Sequence, residues 1–239
     1  MAVFHMRVDE PTENRATPQR DIRAGVFDME GVLLDSEPFH HQAVNEILRE
    51  EGRPQLSFAE YLRYLGATDE YTWRDLVVRR ALRRPRAEYR ARFDTKILEA
   101  YRERATIGAG VIGLLDDLSV RGVPLAIASS CRRTWIEASL GKLRIRGYFD
   151  AIVSGDLVAI GKPDPAIHLL AAELLGVPAA MCFAVEDSPK GISAARAAGM
   201  LTFAVRTPYT PGKLTTKAHV RLRSLTDFDC SRLFDLETM

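Results

Sequence analysis

Residues 24 to 38, AGVFDMEGVLLDSEP, join a short apolar run to two carboxylates and a glycine. The run AGVF is too short for a buried helix. Its flanks favour a buried strand that passes into a loop at the carboxyl edge of a sheet. Asp28 and Glu30 follow this strand two positions apart, just before Gly31. The stretch therefore predicts a parallel-sheet strand that delivers two acids to the edge of the sheet.

The same pattern recurs along the chain. Further apolar runs of strand length are VPLAIASS (123–130), FDAIVSGD (149–156), MCFAVEDS (181–188) and MLTFAV (200–205). Between them lie helical patterns that close on glycine, as helices often do: GVIGLLDDLSVRG (110–122), DPAIHLLAAELLG (164–176) and KGISAARAAG (190–199). Strands that alternate with helices predict an α/β fold, a doubly wound, Rossmann-like parallel sheet covered on both faces.

Residues 37–107 break this alternation, because they contain helical patterns such as HHQAVNEILREEG but no convincing buried strand. We interpret them as an inserted α-helical cap domain. The α/β core domain then comprises residues 21–36 and 108–239, and residues 1–20 are predicted to be a mobile tail.

Composition limits the classes of partner. The chain has 239 residues, a net charge of +1 and 27% charged residues, so it has no general attraction to nucleic acid or to an anionic membrane. No apolar stretch reaches the length of a membrane span, about 18 residues. Three cysteines without a CxxC pair suggest neither a disulfide framework nor a zinc site. We expect a cytoplasmic protein, monomeric or dimeric, whose partner is a small molecule.

Candidates for chemistry come from the predicted strand ends, because ligands of open parallel sheets bind at the carboxyl edge. These candidates are Asp28, Glu30, Ser129, Ser130, Glu186 and Asp187, with Lys162 on the loop before a helix. Acids at this density need a cation, and oxygen-only ligands favour magnesium. A lysine beside hydroxyl and amide donors suits a phosphoryl group. The residues predict a Mg²⁺-assisted phosphoryl-transfer site with a carboxylate nucleophile.

Four motifs in this order resemble those of the haloacid dehalogenase (HAD) superfamily, in the helical-cap branch of β-phosphoglucomutase-like enzymes and small phosphatases. The motifs are FDMEGVLLDS (27–36), LAIASS (125–130), GKPDP (161–165) and VEDSPKGISAARAAG (185–199). The resemblance runs from about Arg23 to a last strand near Val220. It implies a HAD-like core, a helical cap and a Mg²⁺-dependent phosphatase.

The resemblance also implies residue roles. Asp28 matches the nucleophile that forms an aspartyl phosphate, and Lys162 matches the lysine that neutralises its charge. Ser129 and the Ser130 amide match the phosphate-holding motif. Asp28, the Glu30 carbonyl, Asp187 and Glu186 match the magnesium ligands.

Glu30 departs from the family pattern, which has an aspartate acid/base at this position. Glutamate keeps the carboxylate but moves it outward by about one C–C bond, roughly 1.5 Å. A misplacement of about 1 Å can cost on the order of 100-fold in rate. Two alternatives follow: an active phosphatase that accommodates Glu30, or a catalytically impaired HAD-like binding or regulatory protein.

Substrate choice is expected from the cap and the loop after the second motif. His40 matches a histidine near the acid/base carboxylate, and Arg132 is a candidate for a second anion. Thr68 and Asp69 lie in a segment that resembles the cap loop entering the active site. Asp69 stands where sugar-phosphate mutases carry an arginine for the distal phosphate. This difference favours a phosphatase of a small phosphorylated metabolite over a β-phosphoglucomutase-type mutase.

Overall fold

The computed structural model describes residues 21–64, 69–209 and 217–233. The predicted mobile tail and Thr68 lie outside these residues. The described chain contains a six-stranded parallel sheet with the strand order β3-β2-β1-β4-β5-β6. Its strands are β1 (Ala24–Phe27), β2 (Leu125–Ser129), β3 (Ala151–Ser154), β4 (Cys182–Glu186), β5 (Leu201–Val205) and β6 (Val220–Leu222).

The helices that follow the first strand and alternate with the later ones account for the rest of the architecture. They are α1 (Glu37–Glu50), α2 (Phe58–Tyr61), α3 (Asp69–Arg79), α4 (Arg86–Arg104), α5 (Val111–Val120), α6 (Arg133–Leu143), α7 (Ala166–Leu174) and α8 (Pro189–Ala197). The predicted α/β fold with a doubly wound parallel sheet is confirmed, and strand order reverses about the central β1.

Alternating side chains divide the buried core between the two faces of the sheet. Ala126 and Ala128 join a cluster of small residues with Ile167 and Ala171 of α7. Leu125 and Ile127 belong to the other cluster, which contains the larger aromatic and aliphatic residues. Successive residues of a strand point to opposite faces, so one buried strand supplies both layers.

The described part of residues 37–107 contains α1 to α4 and no strand. Ion pairs connect α1 to α4: Lys96 Nζ lies 3.1 Å from Glu46 Oε2 and 2.8 Å from Glu50 Oε1. Such half-exposed pairs are each worth about 1 kcal/mol or less. The pairs join α1 to α4 and add a small contribution to the direct packing of the two helices. The boundaries assigned to a cap domain remain a prediction.

Helix α4 also packs against α6, the helix that follows β2 in the chain. This packing brings the C-terminal part of α4 close to the loop after β2. Among the described residues, no helix combines the length and the apolar character that crossing a membrane requires.

Candidate active site

Three strand ends meet at the centre of the sheet edge. Phe27 of β1 is level with Ile127 of β2 and Val185 of β4, so Asp28 follows beside Ala128 and Glu186. The Asp28 amide continues the ladder by donating to the Val185 carbonyl at 3.0 Å. The parallel register therefore brings the first and fourth motifs together.

Lys162 lies at the centre of this edge, and its side chain is only 5% exposed. Its ammonium donates to Asp28 Oδ1 at 3.0 Å, to Glu186 Oε1 at 2.6 Å and to the Ala128 carbonyl at 2.9 Å. All three donors of the ammonium thus have acceptors. Burial opposes its charge, but Asp28 and Glu186 outweigh burial and raise the pKa of Lys162.

Asp28, Glu186 and Asp187 form an acidic cluster, in which one ligand oxygen from each residue lies within 4.8 Å of the others. Burial raises the pKa of Asp28 to about 7, with Lys162 opposing the shift and Glu186 adding to it. Burial, together with the charges of Asp28 and Glu186, raises the pKa of Asp187 well above its usual range. A divalent cation would relieve this repulsion.

Glu186 shows a second sign that the cluster suits a cation. Burial opposes its ionisation, but Lys162 and His168 outweigh burial and lower the pKa of Glu186. Its Oε1 meets Lys162, whereas its Oε2 is buried and has no hydrogen-bond partner among the described residues. An all-oxygen donor set with an unsatisfied carboxylate oxygen fits a hard divalent cation.

The second motif brings its two serines to the same edge in different environments. Ser129 ends β2, is 1% exposed and accepts a hydrogen bond from the Cys131 amide at 3.3 Å. Ser130 follows it and is exposed. Gly155, after β3, approaches so closely that a Cβ there would lie 2.4 Å from the Ser130 carbonyl oxygen.

Glu30 points towards α1 and α4. His40 Nε2 lies 3.0 Å from Glu30 Oε1, and the Tyr101 hydroxyl donates to the same oxygen. The Cys131 side chain also hydrogen-bonds Glu30. Burial opposes ionisation, but His40 and these two donors outweigh it and lower the pKa of Glu30 to about 2. Glu30 is therefore a carboxylate at neutral pH in the free protein.

The donors around Glu30 keep their protons. Burial and the charge of Glu30 raise the pKa values of Tyr101 and Cys131 well above their usual ranges. A thiol in this state is a poor nucleophile, because the thiolate is the reactive form. Cys131 therefore acts as a weak donor to Glu30.

The residues expected to bind the far end of a substrate are only partly described. Arg132 Nε lies 3.3 Å from Asp94 Oδ1 of α4, and its guanidinium lies over the Trp135 ring. Arg132 therefore links the loop after β2 to α4. Thr68 lies outside the described residues, as does the side chain of Asp69, which begins α3.

Sequence reasoning missed two residues of this region. His168 of α7 is 1% exposed, and its Nε2 lies 2.9 Å from Glu186 Oε1. A histidine in the otherwise apolar stretch AIHLLAA (166–172) was the available signal. Tyr101 contacts Glu30 across 71 positions of sequence, and no motif of the chain marks it.

Comparisons with known proteins identify similar chains. The model of the haloacid dehalogenase-like hydrolase family matches residues 26–205. The chain is 35% identical to fructose-1-phosphate phosphatase YqaB of Escherichia coli (strain K12), over 76% of this chain and 95% of that protein. It is 30% identical to phosphorylated carbohydrates phosphatase of Thermotoga maritima, over 75% of this chain and 82% of that protein.

A solved structure of CbbY from Rhodobacter sphaeroides, in complex with xylulose-1,5-bisphosphate, superposes with a TM-score of 0.78 and 27% sequence identity. The match covers 89% of this chain and 99% of that chain.

Proposed function

The chain belongs to the haloacid dehalogenase-like hydrolase family and is a phosphatase, and from this premise we propose that it hydrolyses a small phosphorylated sugar through a phosphorylated Asp28. One observation carries the proposal. The Asp28 carboxylate lies at the meeting point of three strand ends, 3.0 Å from Lys162 Nζ and beside Glu186 and Asp187. Phosphoryl transfer requires a nucleophile, a positively charged side chain held beside it, and acids that can bind a metal ion.

In the first step, a carboxylate oxygen of Asp28 attacks phosphorus and the bond to the ester oxygen breaks. Asp28 Oδ1 is bound by Lys162, which leaves Oδ2 for the attack. The Lys162 ammonium offsets charge on the nucleophile and on the transferring group. The Ser129 hydroxyl and the Ser130 amide are proposed to hold the phosphoryl oxygens.

Glu30 is the proposed acid and base. It protonates the leaving alcohol in the first step and takes the proton of the attacking water in the second, when phosphate leaves Asp28. The free carboxylate is ionised, so its pKa must rise in the complex for it to donate a proton. The negative charge of a bound phosphate acts in that direction, because like charges disfavour each other's ionised forms.

Magnesium is the proposed metal. Asp28, Asp187, Glu186 and the Glu30 backbone carbonyl would hold it, and their oxygen donors match its preference. When bound, it would offset the charge of the phosphoryl oxygens and of the acids around them. Asp28 would then be held ionised as the nucleophile.

The substrate class rests on the relatives and on the surroundings of the site. Two relatives are phosphatases of fructose 1-phosphate and of phosphorylated carbohydrates by name. Arg132 is the proposed contact for the far end of the substrate, together with His40, Thr68 and Asp69. Arg132 is already paired with Asp94, which disfavours a mutase that must grip a second phosphate firmly.

The test is magnesium-dependent phosphate release from a panel of sugar phosphates and other phosphate monoesters. Asp28→Asn is expected to lose at least about 1000-fold in kcat, as loss of a nucleophile does elsewhere. Asp156→Asn is a matched control, because Asp156 follows β3 at the same sheet edge and accepts a hydrogen bond from the Arg133 amide. It should keep near-normal activity.

Capture of the phosphorylated protein after acid quenching, with the modified residue located by mass spectrometry, checks the intermediate. Modification at Asp28 is expected. Activity retained in Asp28→Asn would contradict the nucleophile assignment. Binding of phosphate and magnesium with no turnover of any ester would instead favour the binding-protein alternative.

A further inference from the structure

Glu30 occupies a socket, which we define as His40, Tyr101 and Cys131. His40 belongs to α1, Tyr101 to α4, and Cys131 to the loop after β2. His40 Nε2 lies 3.0 Å from Glu30 Oε1 and 3.1 Å from the Tyr101 hydroxyl oxygen. The Glu30 oxygen, the histidine nitrogen and the phenol oxygen thus form a closed triangle, joined by the Cys131 side chain.

Tyr101 is the most firmly held member of the socket. Its side chain is 0% exposed, and its ring meets Phe39 and Trp135 edge to face, with centroids 6.2 Å and 6.1 Å away. A buried aromatic ring packed on two sides cannot follow a moving carboxylate. The position of its hydroxyl is therefore set by packing, and the carboxylate must reach the hydroxyl.

The reach of the side chain at position 30 decides whether this contact exists. Tyr101 donates to Oε1 of Glu30. An aspartate carboxylate would stand about 1.5 Å closer to the backbone. The phenol would then keep only its hydrogen bonds with His40 and Ser36, and the carboxylate would lose the phenol as a donor.

We propose that Tyr101 is a positioning residue for Glu30, and that the socket selects glutamate over aspartate at this position. The proposal rests on the acid/base role assigned to Glu30 under the proposed function. Tyr101 does not touch the reacting atoms; it holds the carboxylate that does. In this chain the socket matches the longer side chain of glutamate.

The test compares the unaltered protein with Glu30→Asp, Tyr101→Phe and the double variant, measuring kcat and KM separately. Each single change is expected to lower kcat by roughly 10- to 100-fold with little change in KM. In Glu30→Asp the carboxylate is drawn back by about one C–C bond, and in Tyr101→Phe it loses the donor that holds it. The kcat of the double variant is expected to be no lower than that of the less active single variant, since the two changes break the same contact.

Tyr89→Phe is the matched control. Tyr89 lies on the same helix, is also 0% exposed, and its hydroxyl donates to Glu51 Oε2 at 3.2 Å, away from the socket. It removes the same atom from a buried tyrosine. A structural effect alone would lower kcat similarly in both tyrosine variants, and that result would overturn the proposal.

A second readout does not depend on turnover. In protein labelled with [¹³Cζ]tyrosine, the Tyr101 resonance is identified by its loss in Tyr101→Phe, and it is expected to shift in Glu30→Asp. A resonance that stays in place would overturn the contact.

A wild-type level of activity in Glu30→Asp, or additive effects in the double variant, would overturn this inference and leave the proposed function standing. Absence of phosphate release by the unaltered protein would overturn both it and the proposed function.

Discussion

Two glycines make room for the acidic cluster. A Cβ on Gly31 would lie 2.1 Å from Asp187 Oδ2, and Gly31 has a φ of +74°. A Cβ on Gly191 would lie 1.8 Å from Glu186 Oε2. Each acid of the fourth motif, Glu186 and Asp187, therefore needs a residue without a Cβ beside it.

Gly31→Ala and Gly52→Ala separate backbone strain from this steric role. Gly52 has a φ of +64°, and a Cβ there would meet nothing within 4 Å. Gly52→Ala is expected to lose about 1–2 kcal/mol in unfolding free energy, because Gly52 occupies the left-handed region. Gly31→Ala is expected to lose at least as much, because its Cβ also meets Asp187. Only Gly31→Ala should also weaken magnesium binding, by roughly 10- to 100-fold, since Asp187 is displaced. Denaturant unfolding and calorimetric titration give the two numbers. Equal magnesium affinity in both variants would contradict the role of Gly31.

At the scale of elements, α8 begins directly after the acidic cluster. The Ser188 hydroxyl caps this helix by accepting from the Gly191 amide at 3.1 Å. Asp187 immediately precedes the cap, so the start of α8 and the position of the carboxylate are set together. The sheet contributes the other half of the site, because the parallel register brings β1 and β4 to the same level.

Ser188→Ala tests whether helix capping supports the site. A lost cap costs about 1 kcal/mol in unfolding free energy. Ser57→Ala is the control: Ser57 caps α2 by accepting from the Glu60 amide at 3.3 Å. Similar losses of stability are expected in the two variants, with weaker magnesium binding in Ser188→Ala alone. Unchanged magnesium affinity in Ser188→Ala would mean that the sheet alone positions Asp187.

At the scale of the whole molecule, the acidic cluster links stability to pH and to metal. The pKa of Asp28 is raised to about 7 in the folded protein, against an ordinary value near 4. The folded state therefore binds the proton more tightly than the unfolded state. This contribution to stability is complete below about pH 4 and is lost as pH rises through about 7.

Magnesium is expected to reverse this loss. It requires ionised ligands, so its affinity and its stabilising effect should be larger at pH 8 than at pH 6. At a concentration of about 100 times Kd it would add roughly 2.7 kcal/mol. Thermal unfolding with and without magnesium at the two pH values measures the effect, and Asp187→Asn should largely remove it. An equal rise in Tm at both pH values would contradict the assignment of these acids as ligands.

The sequence by itself determined the class of fold and the position of the acids along the chain. Apolar runs of strand length, separated by helical patterns, are local features, and a parallel sheet places every strand end at one edge. Asp28, Ser129 and Asp187 could therefore be predicted at that edge from their neighbours in sequence. Their catalytic and metal-binding roles remain predictions.

Only the tertiary structure decided how Glu30 is held. Its contacts with Tyr101 and His40 join the first strand loop to α4 and α1, and those helices are placed by packing and by ion pairs such as Lys96 with Glu46. The contact between His168 and Glu186 likewise depends on how α7 lies on the sheet. The periodicity of the sequence indicates which face of a helix or strand is buried, but not which side chains of other elements pack against that face. For this reason the sequence shows Glu30 only as a departure from a motif, whereas the folded chain shows its contacts with Tyr101 and His40.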